Sequence, residues 1–332
     1  MDMPIASPII SHSDRTPRWL VAGVAGFALA IIPLAAVMAQ EPAEAPFTVA
    51  ETGQAFGSLQ QAVDAVGDGE GTIVVAPGNW RECAVQSAGI ITYRGAVPGE
   101  SLLGGTACEG KALLVLRGRG ARVEGLVLAD VSVGDGNGAG IRLEQGPLSV
   151  SQTWFRDSQQ GILTVNGVES EMVIDKSTFT RLGTCEHSAG CAHSIYAGDY
   201  GSVTVTRSRF EQGRGGHYYK SRAGRNVVVD NSFDDAHGRG TNYMIDLPNG
   251  GGGEIRNNWF VQGEDKENWS AFIAIGAESP QYSADGLVIE GNDARLAPGL
   301  SRNPAFVADW TGDAIAIGEN ALGVGLKRYE RR

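Results

Sequence analysis

The chain reads as an all-β protein, a parallel β-solenoid, and three observations in its 332 residues predict this. One short pattern keeps returning: alternating apolar residues, a polar or Gly turn, then often an aromatic. It appears as "RVEGLVL", "LSVSQTWF", "MVIDKSTF", "VTVTRSRF", "VVVDNSF", "GEIRNNWF" and "LVIEGND". Aligning Val123, Val150, Ile174, Val205, Val229, Ile255 and Ile289 gives gaps of 27, 24, 31, 24, 26 and 34 residues, so one coil takes about two dozen residues, with insertions. A second series lies between these strands: "GIRLEQG", "GILTVNG", "HSIYAG", "HYYKSRAG", "NYMIDLPNG" and "AFIAIGA". Two short strands per turn at a constant period cannot bury their apolar faces alone, so the coils must stack. Composition agrees, with 47 Gly and 7% aromatics suiting many tight turns and little helix.

In chain order, Arg15 and Arg18 precede an apolar run from Leu20 to Ala39 that is followed by "EPAE". Residues 1–39 are therefore an export signal ending in small residues at Val37–Ala39, or a retained membrane anchor, since about 20 apolar residues also span a bilayer. Either way, residues 40–332 are placed outside the cytoplasm, periplasmic or extracellular. Residues 40–47 read as a linker, 48–325 as the solenoid and 326–332 as a basic C-terminal tail. The one helix is "GSLQQAVDAV", with Ser58 as N-cap and Leu59, Ala62, Val63 and Val66 at helical spacing, placed to cover the open end of the first coil. Four cysteines in an exported chain imply two disulfides. Cys83 and Cys108 are 25 residues apart, about one coil. Cys185 and Cys191 close "CEHSAGC", for which the rival reading is a metal site with His187 between them.

Helix, strand, "APGNW" and then coils with Asn at their bends resemble the right-handed parallel β-helix proteins of the pectate-lyase type, over residues 48–325. That resemblance implies the right-handed fold. It leaves activity open among lyases, hydrolases, epimerases and binding modules. "HSIYAG", "KSRAGRN" and "LPNGGGG" in consecutive coils are also similar to a group of exported bacterial β-helix proteins, a likeness that implies no mechanism.

Alternation along each strand fixes which side chains leave the coil. With Leu143, Leu163, Ile195, Tyr219, Ile245 and Ile273 inward, the outward set includes Arg142, Glu144, Thr164, Ser194, Tyr196, Tyr218, Lys220, Arg222, Asn242, Met244 and Asp246. Tyr196, Lys220 and Met244 are expected to form one column, and Gly198, Arg222 and Asp246 the next. His193 and His217 align at the strand entrance as an inward or edge pair.

This polar surface fits an acidic polysaccharide, and chemistry known for uronate-cleaving members of the superfamily supplies the enzymatic reading. β-Elimination needs neutralisation of the sugar carboxylate, a base for the C5 proton and an acid for the leaving oxygen. Arg222 is the expected neutraliser and Lys220, with a pKa drawn down by the adjacent Arg222, the expected base. Tyr196 and His217 are alternative acid–base groups, and Tyr218, Asn242, Asp246, His193 and Arg142 are expected to bind substrate. Each has a plainer role open to it: Arg222 with Asp246 as a salt bridge, the tyrosines as cover for apolar surface, the histidines as stacking groups.

A glycoside hydrolase would need two carboxylates about 5–9.5 Å apart, and Asp246 with Asp199 is the available pair. A non-catalytic glycan-binding or envelope scaffold protein is the third reading. No cofactor is required, with Asp234 and Asp235 as a weak calcium candidate. The net charge of −11 argues against nucleic acid as a partner, and a monomer is expected.

Overall fold

The computed structural model describes residues 45–187 and 190–332. The export segment expected at residues 1–39 lies outside the described residues. Within them, no helix is long and apolar enough to cross a membrane.

The chain winds into a parallel β-helix with three sheets of 12, 10 and 10 strands. Each full coil therefore contributes three strands where the sequence pattern suggested two. The missed strand is the short aromatic one, such as Trp154–Arg156, Thr178–Thr180 and Arg209–Glu211, which is too brief to show alternation. It follows the first-sheet strand across a bend held by one residue at positive φ, including Gln152, Lys176, Arg207, Asp230 and Asn257. The first sheet opens with antiparallel pairing of Phe47–Val49 to Gln54–Phe56 and Glu70–Val75, then continues in parallel. The helix Leu59–Val66 begins at Ser58, whose side chain accepts from the Gln61 N–H, and buries Leu59, Ala62 and Val63 in the core.

The core repeats by rung. Phe155, Phe179, Phe210, Phe233 and Phe260 stack with ring centroids 4.8, 4.7, 4.7 and 5.0 Å apart, the spacing of the strands that carry them. Beside them the backbone N–H groups of the bend are satisfied by side chains of the next coil. Asn258 Oδ1 accepts from Asn231 N at 2.9 Å, Asn292 Oδ1 from Asn258 N at 2.9 Å, and Asn320 Oδ1 from Asn292 N at 3.0 Å. Ser208 and Ser177, one and two coils before Asn231, serve the same purpose. Buried backbone polar groups need such partners, which explains polar residues inside an otherwise apolar stack.

Both disulfides form as expected, Cys83 to Cys108 and Cys185 to Cys191. They mark a protein of an oxidising environment. Residues 326–332 are not a tail: Lys327–Arg331 pairs with Ala305–Asp309 as the last strand of the third sheet. In the first sheet the inward residue of the fifth aligned coil is Val228, paired with Val205 and Ile255, and not Val229.

Candidate functional site

Consecutive third-sheet strands position the site: Ala139–Leu143, Gln160–Thr164, Ile195–Ala197, Tyr219–Ser221, Ile245–Leu247 and Ala271–Ile275. Ile141, Ile162, Ile195, Tyr219, Ile245 and Ile273 point inward in one ladder. Leu143 is also inward, but Leu163 is not. It pairs with Arg142 and Tyr196 on the outer face, and Thr164, paired with Leu143, turns in. The outward column is therefore Arg142, Leu163, Tyr196, Lys220, Asp246 and Ala274. Asp246 sits beside Lys220, not in register with Arg222, because that coil is two residues longer than the one before it.

Tyr218 and Met244 correct a second expectation. Both are buried in the core, each one residue before its strand begins. Alternation does not apply there, because the chain is still turning. Gly215 and Gly216 carry φ of 138° and 60°, and a Cβ on Gly216 would meet Ala192 O at 2.1 Å. Tyr218 packs edge-on against Phe210, and its hydroxyl donates to Asp235 Oδ1 at 2.8 Å. Asp235 also accepts from Thr241 Oγ1, Gly263 N and the fully buried Lys266 ammonium, while Asp234 Oδ1 accepts from Ala236 N. Asn242 donates to Glu267 Oε2 at 2.8 Å.

A cleft of about 640 Å³ runs along this sheet and is lined by Arg142, Gln160, His193, Tyr196, Lys220 and Arg222, among others. At one end Lys111 and Arg142 stand near Glu144, with Lys111 Nζ 2.9 Å and Arg142 Nε 3.5 Å from its carboxylate. Gln160 donates to Asn137 Oδ1, and its own Oε1 is buried and unpartnered among the described residues. At the other end lies the charged centre, organised by a residue the sequence reading missed. Glu278 accepts from Lys220 Nζ through Oε1 and from Arg222 Nη2 through Oε2. It lies in the insertion between Ile275 and Val288, which carries no periodic signal. Its backbone N–H and that of Ser279 donate to Pro248 O, fixing the insertion over the strand below.

Arg222 is held on two further sides. Its Nε donates to the Tyr196 hydroxyl at 2.9 Å and its Nη1 to Asn249 Oδ1 at 2.6 Å. Lys220 also approaches Asp246 Oδ2 at 3.3 Å, and Lys220 and Arg222 both lie over the Tyr196 ring at 5.8 Å. His193 and His217 have ring centroids 5.0 Å apart, and Tyr243 stacks on His217. His193 Nδ1 accepts from the His217 backbone N–H at 3.0 Å, so a neutral His193 carries its proton on Nε2.

Electrostatics reverse the expectation for Lys220. Burial favours its neutral form, but the Asp246 and Glu278 carboxylates outweigh burial, and its pKa lies above the ordinary lysine value. Asp246 is pushed up to about 6 by burial, against the pull of Lys220. Glu278 is partly desolvated, yet Lys220 and Arg222 hold it down to about 2. Burial and the nearby Lys220 charge lower His217 to about 3, and burial with His217 lowers His193 well below the ordinary histidine value. Both imidazoles are therefore neutral near pH 7.

The structure thus brings Arg142, His193, Tyr196, Lys220 and Arg222 to one cleft, sets Asp246 and His217 beside Lys220, and leaves Tyr218 in the core. Asp199 is not among the cleft residues, and its carboxylate accepts from Tyr282.

No family model and no curated protein matches the chain. Among solved structures, it is similar to ORF18 of Geobacillus virus E2 at 15% identity and a TM-score of 0.47, over 82% of this chain and 56% of that one. The PL6 family alginate lyase AlyGC aligns at 13% identity and a TM-score of 0.44, over 76% of this chain and 36% of that one. Escherichia coli YbhC aligns at 14% identity and a TM-score of 0.35, over 82% and 74%. The chain spans about half the length of the first and about a third of the second. Likenesses at this level carry no chemistry across. The chain's own strand ladders make it a parallel β-helix with a polar cleft along its third sheet.

Proposed function

We propose that the cleft binds an acidic polysaccharide lengthwise and cleaves it by β-elimination. The observation that carries this reading is the pair Lys220 and Arg222, two cations on and just after one strand that together grip a carboxylate, with the Tyr196 hydroxyl in contact with Arg222. A uronate carboxylate bound in that grip is neutralised, which lowers the barrier to removing the C5 proton. Tyr196 is the proton acceptor on this reading, because its hydroxyl oxygen faces the cleft and accepts from Arg222 Nε at 2.9 Å. Lys220, held as an ammonium, donates to the leaving oxygen. The C5–H electron pair becomes the C4=C5 double bond as the C4–O bond breaks, so atoms and charges balance. Lys220 thus moves from base to acid relative to the expectation from sequence. The raised pKa supports this change.

Arg142 stands three rungs from Lys220, about 14 Å at the usual rung spacing, and suits another acidic unit of the same chain. His193 offers its Nε2–H to a sugar hydroxyl. The steps need no cofactor, since the neutralising charges are side chains. The protein acts as an exported monomer, periplasmic or extracellular, tethered to the membrane if residues 20–39 are retained.

Incubation of residues 40–332 with a panel of uronate polysaccharides should produce the absorbance of unsaturated uronate ends. Lys220→Ala and Arg222→Ala should each lower kcat/KM by at least about 100-fold, the range for removing a general acid or an electrostatic stabiliser. New reducing ends without that absorbance would replace elimination with hydrolysis. Binding with neither product would favour a glycan-binding scaffold, a reading to which the fully paired charges of the resting site lend some weight.

A further inference from the structure

We infer that Glu278 is an internal stand-in for the ligand's carboxylate: it fills the anion subsite formed by Lys220 and Arg222 and is displaced by the carboxylate of an incoming uronate. The inference rests on the proposed function for the class of ligand, and on geometry for the rest. Glu278 meets both cations with separate oxygens, as a bound sugar acid would. Its side chain is 44% exposed, whereas those of Lys220 and Asp246 are 10% and 4% exposed, so the carboxylate comes from the solvent side and leaves toward it.

The cations are built to survive its departure. Lys220 keeps Asp246 Oδ2 at 3.3 Å, and Arg222 keeps Tyr196 and Asn249 at 2.9 and 2.6 Å. Removing Glu278 therefore leaves neither cation without a partner, which for the buried Lys220 would otherwise be the large cost of opening such a site. The backbone need not move. The Glu278 and Ser279 N–H groups stay on Pro248 O, those of Gln281 and Tyr282 on Asn249 O, and only side-chain rotation is required. Exchange of one carboxylate for another conserves the charge of the centre. A ligand without an anion would have to part Glu278 from its cations and return nothing.

The test titrates wild type, Glu278→Gln and Glu278→Gln/Arg222→Ala with D-glucuronate, following the side-chain Nε–H of the arginines by NMR and heat by calorimetry. Glu278→Gln should bind glucuronate about tenfold tighter than wild type, the size of one partly screened charge-assisted pair, and the double variant should lose that gain. Equal, weaker or absent binding by Glu278→Gln overturns the inference, as does a gain that persists without Arg222. Tighter binding without unsaturated products from any polyuronate would keep the exchange and remove elimination. Elimination with unchanged affinity would do the reverse.

Discussion

Lys220 keeps its proton because two carboxylates face it, and the same geometry sets how the centre responds to pH. Asp246, at about 6, is the group near the centre that changes charge around that pH, whereas His217 is already neutral at about 3. Below pH 6, Asp246 takes a proton and Lys220 loses the carboxylate that fixes it from the protein side. The value of kcat/KM, which reports the free enzyme, should therefore fall below an inflection near pH 6. The inflection should disappear in Asp246→Asn and persist in His217→Gln; the opposite pattern would assign it to the imidazole. Stability responds in a different window. Arg181, with Arg156 and Arg214, depresses Asp157 to about 2 despite partial burial, and Glu278 is held equally low. A carboxylate with a depressed folded pKa contributes stability above its unfolded pKa and loses it as pH falls through the folded value. Melting temperature should thus drop between about pH 4.5 and 2. Asp157→Asn should flatten that slope, forgoing about 1 kcal/mol at neutral pH, and an unchanged slope would assign the acid limb to other carboxylates.

Among the elements, the stacked phenylalanines carry the repeat and should dominate its mutational cost. Phe210 lies 4.7 Å from both Phe179 and Phe233 and meets the edge of Tyr218. Phe210→Ala should cost about 3–5 kcal/mol, as for other buried aromatics, and Trp259→Ala, on the outer face, less than about 1. Urea unfolding measures both, and equal costs would deny the stack its role. This ladder was legible in the sequence because an aromatic after each apolar strand survives changes in coil length. Its strand was not, since three residues show no alternation. The site was half legible for a related reason. Arg142, Tyr196 and Lys220 share the outer column because alternation within a strand is local and robust. Registering one coil on the next depends on turn lengths, and a two-residue lengthening moved Asp246 beside Lys220. Turns also hide direction, which is why alternation alone points Tyr218 outward when it is buried. Glu278 left no signal, because an insertion that folds back over a neighbouring coil has no period to betray it.

Across the whole molecule, a solenoid couples each coil mainly to its neighbours, so a crosslink should protect the coils it joins and little beyond them. Cys83 and Cys108 tie the first coils together near the helix Leu59–Val66, a region that among the described residues has coils on one side only. Closing their 25-residue separation should stabilise by about 3 kcal/mol on loop entropy. The 6-residue separation of Cys185 and Cys191 closes a smaller surface loop beside the cleft, where Cys191 is part of the lining. Paired Cys83→Ser/Cys108→Ser substitution should therefore lower the melting temperature by about 5–10 °C. It should also speed hydrogen exchange over residues 45–116 while leaving the strands that carry Tyr196, Lys220 and Asp246 protected. Paired Cys185→Ser/Cys191→Ser substitution should leave those first coils unchanged and raise exchange around residues 184–193, weakening glucuronate binding through His193 more than it weakens the fold. Exchange that rises uniformly along the chain in either variant would mean that the solenoid unfolds as one unit, and the protection of the cleft would then have to be sought in the continuous Phe and Asn ladders rather than in nearest-neighbour coupling.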